Sequence, residues 1–455
     1  EFAGWSGTCS GSGSCAVPPG QAASVTATFT ATLQSINHIV FMLQENRSLD
    51  HYFGKLGDYR VAQGLAADFD GLPANASNPS ADGQSTVTAF HLQTMCVENP
   101  SPSWNESHVD FNLQNPVSAT PTLDGFVWTA AHDAGPNNFH DVEGRRVMGY
   151  YTEADLPYYY FMATNFATSD RWFSPVMTRT QPNRMYLMAG TSAGHVYPLP
   201  QGTKVNNKTI FQLLEENGIS WKIYVPDWGP NPVGHTEMVM FTFGDEHPEN
   251  FVDATQFAVD AQNGTLPQVA LIAAGSFSGR DEHPADDPNV PGGSVQYGSN
   301  YVANAFINPL MDSPSWKDSV FILTWDEGGG FYDHVAPQPT VAPDNIPPSD
   351  LFPGDICTNP NASGPTCGFA YTGYRVPLIV VSPFAKKNYV SHTVADFTAI
   401  LKFIQTRFNL PSLTARDAAQ MDMTEFFDFE NAPWKTPPSP PAQPSPGPCY
   451  LDRLP

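Results

Sequence analysis

Basic residues are scarce in this 455-residue chain: 21 Lys and Arg stand against 45 Asp and Glu, for a formal net charge of -24. A surface that acidic repels polyanions, which sets aside nucleic acid as a partner and rules out long-range attraction to an anionic membrane. Any lipid substrate must then be held by the local chemistry of a site, with peripheral contact with a lipid surface at most. No run approaches the roughly 20 apolar residues needed to cross a bilayer. No charged-then-apolar leader opens the chain either, so the expectation is that any signal peptide has been removed; Glu1 and Phe2 fit a cloning scar equally well. Internal repeats are missing. So are CxxC pairs and cysteines at zinc-finger spacing from histidine, which turns the six cysteines away from metal and towards disulfides.

What is present is material for a large core: 41% of residues are hydrophobic and 12% aromatic, too rich for disorder. The cysteines are Cys9, Cys15, Cys96, Cys357, Cys367 and Cys449. Cys9 with Cys15 and Cys357 with Cys367 are natural local pairs, which leaves Cys96 to close a long loop with Cys449, although six cysteines permit many connectivities. Disulfides and an acidic surface together suggest a secreted, extracellular protein, expected to be a monomer. Sequons at Asn75, Asn105, Asn207, Asn263 and Asn361 would permit glycosylation in a eukaryotic host.

Residues 1–34 are rich in Gly, Ser and Thr, with strand-like alternation from Ser24 to Phe29, and resemble the tail of a small extracellular β-repeat; they read as a β-rich remnant of a preceding module. A catalytic domain over 35–432 follows, opening on the apolar run Ile36 to Leu43. Two more apolar runs of strand length are Ser319 to Trp325 and Val376 to Val381. Continuous apolar strands without alternation belong in a parallel sheet covered on both faces. Helical stretches lie at Thr209 to Asn217, Tyr301 to Met311 and Val394 to Phe408, so the expected fold is α/β: a three-layer αβα sandwich with a mostly parallel central sheet. Residues 433–455 are dominated by proline and serine and read as an extended tail, pinned near its end by Cys449.

Two of these strands end in acidic pairs, Glu45-Asn46 and Asp326-Glu327. Ligands gather at the carboxyl ends of strands in doubly wound sheets, and these oxygens make a plausible cage for a hard divalent cation. One acidic dipeptide alone is more often a solvated turn or helix cap. Glycines 328, 329 and 330 allow close backbone approach beside the second pair. Thr180, followed by Gln181-Pro182-Asn183-Arg184, is a candidate nucleophile if a metal lowers its pKa; the bland alternative is a Pro-Asn turn capping a helix. Histidines beside carboxylates, His108, His283 and His334, could hold a phosphoryl oxygen or protonate a leaving group, though each alone is more often an exposed loop histidine. Asp245-Glu246-His247-Pro248 nearly repeats Asp281-Glu282-His283-Pro284, which shows how easily such a pattern arises.

In order along the chain, Gln44 to Gly54, Thr180 to Arg184, Asp281 to Pro284 and Thr324 to Val335 resemble the phosphoesterase family of bacterial and fungal phospholipases C and acid phosphatases. The resemblance spans about 36–430. It implies an alkaline-phosphatase-like sandwich with a divalent metal (Ca²⁺, Mg²⁺ or Mn²⁺, or Zn²⁺ recruited by histidines) held by Glu45, Asn46, Asp326, Glu327 and the Thr180 hydroxyl. It also implies Thr180 as a nucleophile passing through a phospho-threonine, with His108, His283 and His334 as phosphate-binding and acid-base groups and Asn46 hydrogen-bonding the phosphoryl group. Glu327 stands where some relatives carry aspartate. Larger haemolytic relatives carry further C-terminal β domains, so strong haemolysis is not expected. The leading reading is a phospholipase C releasing diacylglycerol and a phosphorylated head group from a phosphatidylcholine-like lipid. An acid phosphatase acting on phosphomonoesters and a catalytically silent secreted binding protein are the alternatives. Choline recognition would need an aromatic or acidic cage, for which Trp104, Trp128, Tyr158 to Tyr160 and Trp228 are unassigned candidates.

Overall fold

The structure, a computed structural model, describes residues 2–17, 19–20, 22–29, 31–359 and 363–454. Its central sheet has eight strands: β1 (His38–Gln44), β2 (Ala167–Ser169), β3 (Trp221–Val225), β4 (Phe251–Asp253), β5 (Val269–Ile272), β6 (Ser319–Trp325), β7 (Leu378–Val381) and β8 (Tyr389–Ser391). Their spatial order is β4-β3-β5-β1-β6-β7-β2-β8, and every neighbouring pair is parallel except those that β7 makes with β6 and β2. Along β5, β6 and β7 every residue is buried, whichever way its side chain points, as are all but the first of β1. Alternate residues face opposite sides of a sheet, so both faces must be covered. The covering helices include α1 (Leu49–Phe53), α2 (Trp104–Phe111), α3 (Pro157–Asn165), α4 (Thr180–Ala189), α5 (Ile210–Glu216), α6 (Gln256–Asn263), α7 (Val295–Val302) and α8 (Ala399–Phe408). This is the three-layer αβα sandwich that the apolar runs implied.

The register between β1 and β6 positions the site. Ser319 pairs with His38 and the ladder runs without slip to Trp325 opposite Gln44. It continues past both strand ends, with Asp326 N donating to Gln44 O and Arg47 N to Glu327 O, each at 3.0 Å. The two acidic pairs therefore leave the sheet side by side at its carboxyl edge.

Three elements differ from their sequence expectations. The run Val376 to Val381 pairs only from Leu378 and lies antiparallel, because an apolar run buried on both faces carries no record of direction. The helix expected from Val394 starts at Ala399: Ala395–Asp396 pairs with Trp172–Phe173, and Asp396 Oδ1 accepts from both the backbone and the hydroxyl of Thr398. The helix expected from Tyr301 begins earlier, as α7, and loosens into a π turn over Ala303–Ile307 before ending at Met311. The Thr209 to Asn217 stretch is helical as expected, with Thr209 Oγ1 capping it by accepting from Gln212 N.

At the N-terminus, Val25–Phe29 pairs with Phe2–Gly7 in a two-stranded antiparallel sheet. The proline-rich tail has no regular structure yet is docked on the body: buried Gln443 donates to Asp155 O at 2.9 Å, and the Trp434 carbonyl accepts from Trp316 Nε1 at 2.9 Å. All six cysteines are paired, as Cys9–Cys15, Cys357–Cys367 and Cys96–Cys449. Cys96–Cys449 spans 353 residues of chain, so its loss releases a very large loop in the unfolded state. Replacing both partners with serine should cost about 2–5 kcal/mol of stability in urea denaturation, with the tail becoming a preferred site of limited proteolysis. Asn75 and Asn263 are exposed, the Asn105 amide is engaged by Asp355, and Asn361 lies outside the described residues. No helix among the described residues is long and apolar enough to cross a membrane.

Candidate active site

Thr180 is not a loop residue: it is the first residue of α4. Pro182 fits the first turn, whose backbone N–H groups have no intrahelical partner. Asn183 is buried and pins the approach to Thr180, accepting from Val176 N and donating to the Val176 and Thr178 carbonyls. One helical turn beyond Thr180, on the same face, stands Arg184. Pro182 and Asn183 thus serve to place one hydroxyl, and Arg184 follows it on the same face.

Thr180 Oγ1 lies 3.5 Å from Asn46 Oδ1. Asn46 adopts a left-handed backbone (φ 58°), and its N–H donates to Asp326 Oδ1 at 3.1 Å, tying the ends of β1 and β6 together. Arg184 reaches into this group: Nε donates to Asp326 Oδ2 at 3.1 Å, Nη2 is 3.2 Å from Glu45 Oε1, and Nη1 meets buried Glu237. Ser276, just past β5, donates to Glu45 Oε1 at 3.1 Å. Glu327 Oε2 accepts from Gly329 N, whereas its Oε1 is buried without a partner.

The group is short of positive charge. Burial pushes Asp326 up to about 6, with Arg184 opposing and Glu45 adding to the shift. Burial and the neighbouring Asp326 hold Glu327 well above the carboxylate range, and burial with Glu45 takes Asp281 up to about 7. These carboxylates and the Asn46 amide are hard oxygen donors, one of them unpartnered, of the kind that a divalent cation takes, and such a charge would relieve these shifts together; their oxygens are not gathered as tightly as those of metal ligands, and Arg184 now stands among them.

The three histidines part company here. His283 joins the site: its Nε2 accepts from Asn46 Nδ2 at 2.9 Å and lies 4.0 Å from Glu45 Oε2, while Nδ1 donates to Pro284 O. Burial opposes its protonation, but Glu45, Asp286 and Asp281 outweigh it and raise its pKa. His108 is fully buried in α2 with both ring nitrogens facing carbonyls, those of Trp104 and Thr366, so neither faces the carboxylates. His334 belongs to a second cluster, with Nδ1 2.7 Å from Asp50 and Nε2 3.2 Å from Asp70. Asp50, Asp333 and His334 are spaced as metal ligands are. The buried Arg375 guanidinium fills that position, 2.8 Å from Asp333 and 3.1 Å from Asp50.

Sequence reasoning assigned no role to Arg184, Glu237, Glu282 or Arg375. Glu282 is fully buried, in a left-handed backbone (φ 71°), and takes hydrogen bonds from Tyr52, Tyr159, Gln44 and Trp325, with Arg47 on its carbonyl. It fixes the backbone between Asp281 and His283. Burial raises its carboxyl from about 4.5 to about 7 despite these donors. The folded state therefore holds this proton more tightly than the unfolded chain. The contribution to stability is complete below the ordinary glutamate pKa and lost as pH rises through about 7. Glu282→Gln should accordingly compare worst with the parent near pH 4.5 and best above pH 7, by up to about 1.4 kcal/mol per pH unit between, in urea melts across pH. A pH-independent difference would sink the assignment.

Two cavities open on this edge and share Glu45 and Ser276. One, of about 540 Å³, is bordered by Asp281, His283 and Asp286; the other, about 200 Å³, by Arg184 and Glu237. A larger cavity of about 670 Å³, between Ser80–Phe90 and Arg145, contains none of these residues. A ligand entering these cavities would meet the His283 imidazole and the Glu45 and Asp281 carboxylates in the larger, and Gln181 and Arg184 of α4 in the smaller. The sequence model of the Phosphoesterase family matches residues 36–411, and the chain belongs to that family.

Phospholipase C B of Mycobacterium tuberculosis is 30% identical over 448 residues, covering 88% of this chain and 79% of that protein. Non-specific phospholipase C1 of Arabidopsis thaliana is 30% identical over 423 residues, covering 88% of this chain and 72% of its own. A solved alkaline phosphatase superfamily protein from Vibrio parahaemolyticus aligns with 81% of this chain and 78% of its own at 13% identity, with a TM-score of 0.35.

Proposed function

We propose that the chain is a secreted phospholipase C, with residues 35–432 as its catalytic domain, that releases a phosphorylated head group from a phosphatidylcholine-like lipid by way of a phospho-threonine. The observation that carries this reading is the Thr180 hydroxyl on the first turn of α4, 3.5 Å from Asn46 Oδ1, whose own residue donates its N–H to Asp326. Relatives named phospholipases C support the diester as substrate, and the paired cysteines support an oxidising destination.

Glu45, Asn46, Thr180, Asp326 and Glu327 would hold the divalent cation. When bound, it lowers the pKa of the threonine hydroxyl and neutralises phosphoryl charge. Thr180 Oγ attacks phosphorus, the bond from phosphorus to the glycerol oxygen breaks, and that oxygen leaves with a proton as diacylglycerol. Asn46 Nδ2 is placed to donate to a phosphoryl oxygen, and His283 Nε2 stands beside it to exchange the proton. The first turn of α4 favours the negative charge that accumulates beside Thr180. Water then cleaves the phospho-threonine and frees the phosphorylated head group.

Phosphorus NMR of mixed phospholipid micelles, and separately of an aryl phosphomonoester, with and without chelator, tests the whole reading. The expected result is a phosphorylated head group from lipid with little free phosphate, suppressed by chelator and restored by added divalent cation. Free phosphate from the monoester with lipid left intact would make the protein an acid phosphatase instead.

A further inference from the structure

We propose that Phe277, with Val239 and Val290, forms an apolar rim by which the mouth of the site seats on a zwitterionic phospholipid surface; this rests on the phospholipase reading. Phe277 is the most exposed large hydrophobic residue among those described, at 76%. It sits on a short turn, Ser276–Ser278, bracketed by Gly275 and Gly279 in left-handed conformations. Its exposure is built in: Phe277 N donates to Asp227 Oδ2 at 2.9 Å, and its ring rests 4.8 Å from that of His235, whose Nδ1 is itself held by the Asp227 carbonyl. The preceding residue, Ser276, donates to Glu45 in the site. One residue of chain therefore separates a contact to the site's carboxylate from a phenyl ring standing in solvent.

Phe277 borders both of the cavities that share Glu45. Val290, 59% exposed, borders the larger, Val239, 37% exposed, borders the smaller, and Trp228, 47% exposed, follows Asp227. Apolar side chains from three segments thus border the two cavities, with Trp228 next to the residue that holds Phe277, where an aromatic ring gains most from the boundary between head groups and acyl chains. Charge selects the surface. Asp286 and Asp287 stand at the same mouth, on a chain of net charge -24. An anionic bilayer or a second copy of the chain is repelled, whereas a zwitterionic head group offers its ammonium outermost.

Binding is measured by sedimentation of the full chain with phosphatidylcholine vesicles, in a Thr180→Ala background so that lipid is not consumed. Phe277→Ser should lose on the order of tenfold in partition. Phe277→Trp should retain binding, and Val61→Ser, a change at an exposed valine elsewhere, should leave it unaltered. Vesicles containing phosphatidylserine should bind more weakly and recover with salt. Failure of the parent to bind phosphatidylcholine, equal binding by Phe277→Ser, or Phe277-dependent self-association without lipid would each overturn the proposal. Turnover of a short-chain phosphatidylcholine below its micelle concentration, by the chain with Thr180 intact, separates the two readings. No cleavage alongside Phe277-dependent binding defeats the phospholipase and leaves the docking rim standing; cleavage alongside Phe277-independent binding defeats the rim alone.

Discussion

Thr180→Ala should lower kcat for phosphoester hydrolysis by at least about 10,000-fold, the scale on which removal of a nucleophile acts, while the melting temperature moves by no more than about 2 °C. The two halves follow from different features. On the proposed mechanism activity rests on the hydroxyl, which α4 brings to 3.5 Å from Asn46 Oδ1. Stability does not, because Thr180 is only partly buried, contributes no side-chain cap to its helix, and makes its contact to Asn46 at 3.5 Å. Alanine is also a better helix former at that position. Thr180→Ser keeps the hydroxyl and should retain measurable turnover, which separates loss of the nucleophile from loss of shape. Single-turnover kinetics on lipid and on a phosphomonoester would read both variants; a rate in Thr180→Ala close to the parent's would remove Thr180 from the chemistry.

How much of this was legible in the sequence depends on whether the information was local. Glu45-Asn46 and Asp326-Glu327 were readable because each follows an apolar run, and the parallel register that brings them together follows from both runs ending at the same edge. Thr180 was visible as a motif but not as a helix start, since proline and asparagine serve turns and first turns alike. The histidines show where local reading fails. His283, His334 and His108 all lie beside carboxylates in sequence, yet only His283 faces the cluster; α2 turns His108 towards the Trp104 and Thr366 carbonyls, and Arg375, which follows Tyr374 in a stretch with no chemical signature, draws His334 into a different ion network. Glu237 gave no signal, and Glu282, though inside the Asp281 to Pro284 motif, gave none of its role, because what makes them matter is burial against residues far away in the chain. Arg184 did have one: it follows Thr180 by four residues, one helical turn, which is how a single helix can offer a nucleophile and a guanidinium to the same site.

Arg184→Leu should cost about 3–5 kcal/mol of stability, the penalty of leaving buried charges without their partner. The guanidinium touches Asp326, Glu45 and Glu237, all of them buried, and the Glu237 oxygen that it does not contact has no other hydrogen-bond donor. Without it, Asp326, already pushed up to about 6 with Arg184 in place, moves higher. The loss should therefore shrink as pH falls and Asp326 takes up a proton. Arg184→Lys should recover little, because an ammonium is a single point of charge where three carboxylates are now met by separate nitrogens of one planar fork. A divalent cation binding only the folded state should raise the urea midpoint of the variant in proportion to the logarithm of its concentration, since it supplies positive charge to the same oxygens. A midpoint for Arg184→Leu equal to the parent's across pH 5–8, with or without cation, would mean that the guanidinium offsets no buried negative charge there, and the case for a cation-binding site at the ends of β1 and β6 would fall with it.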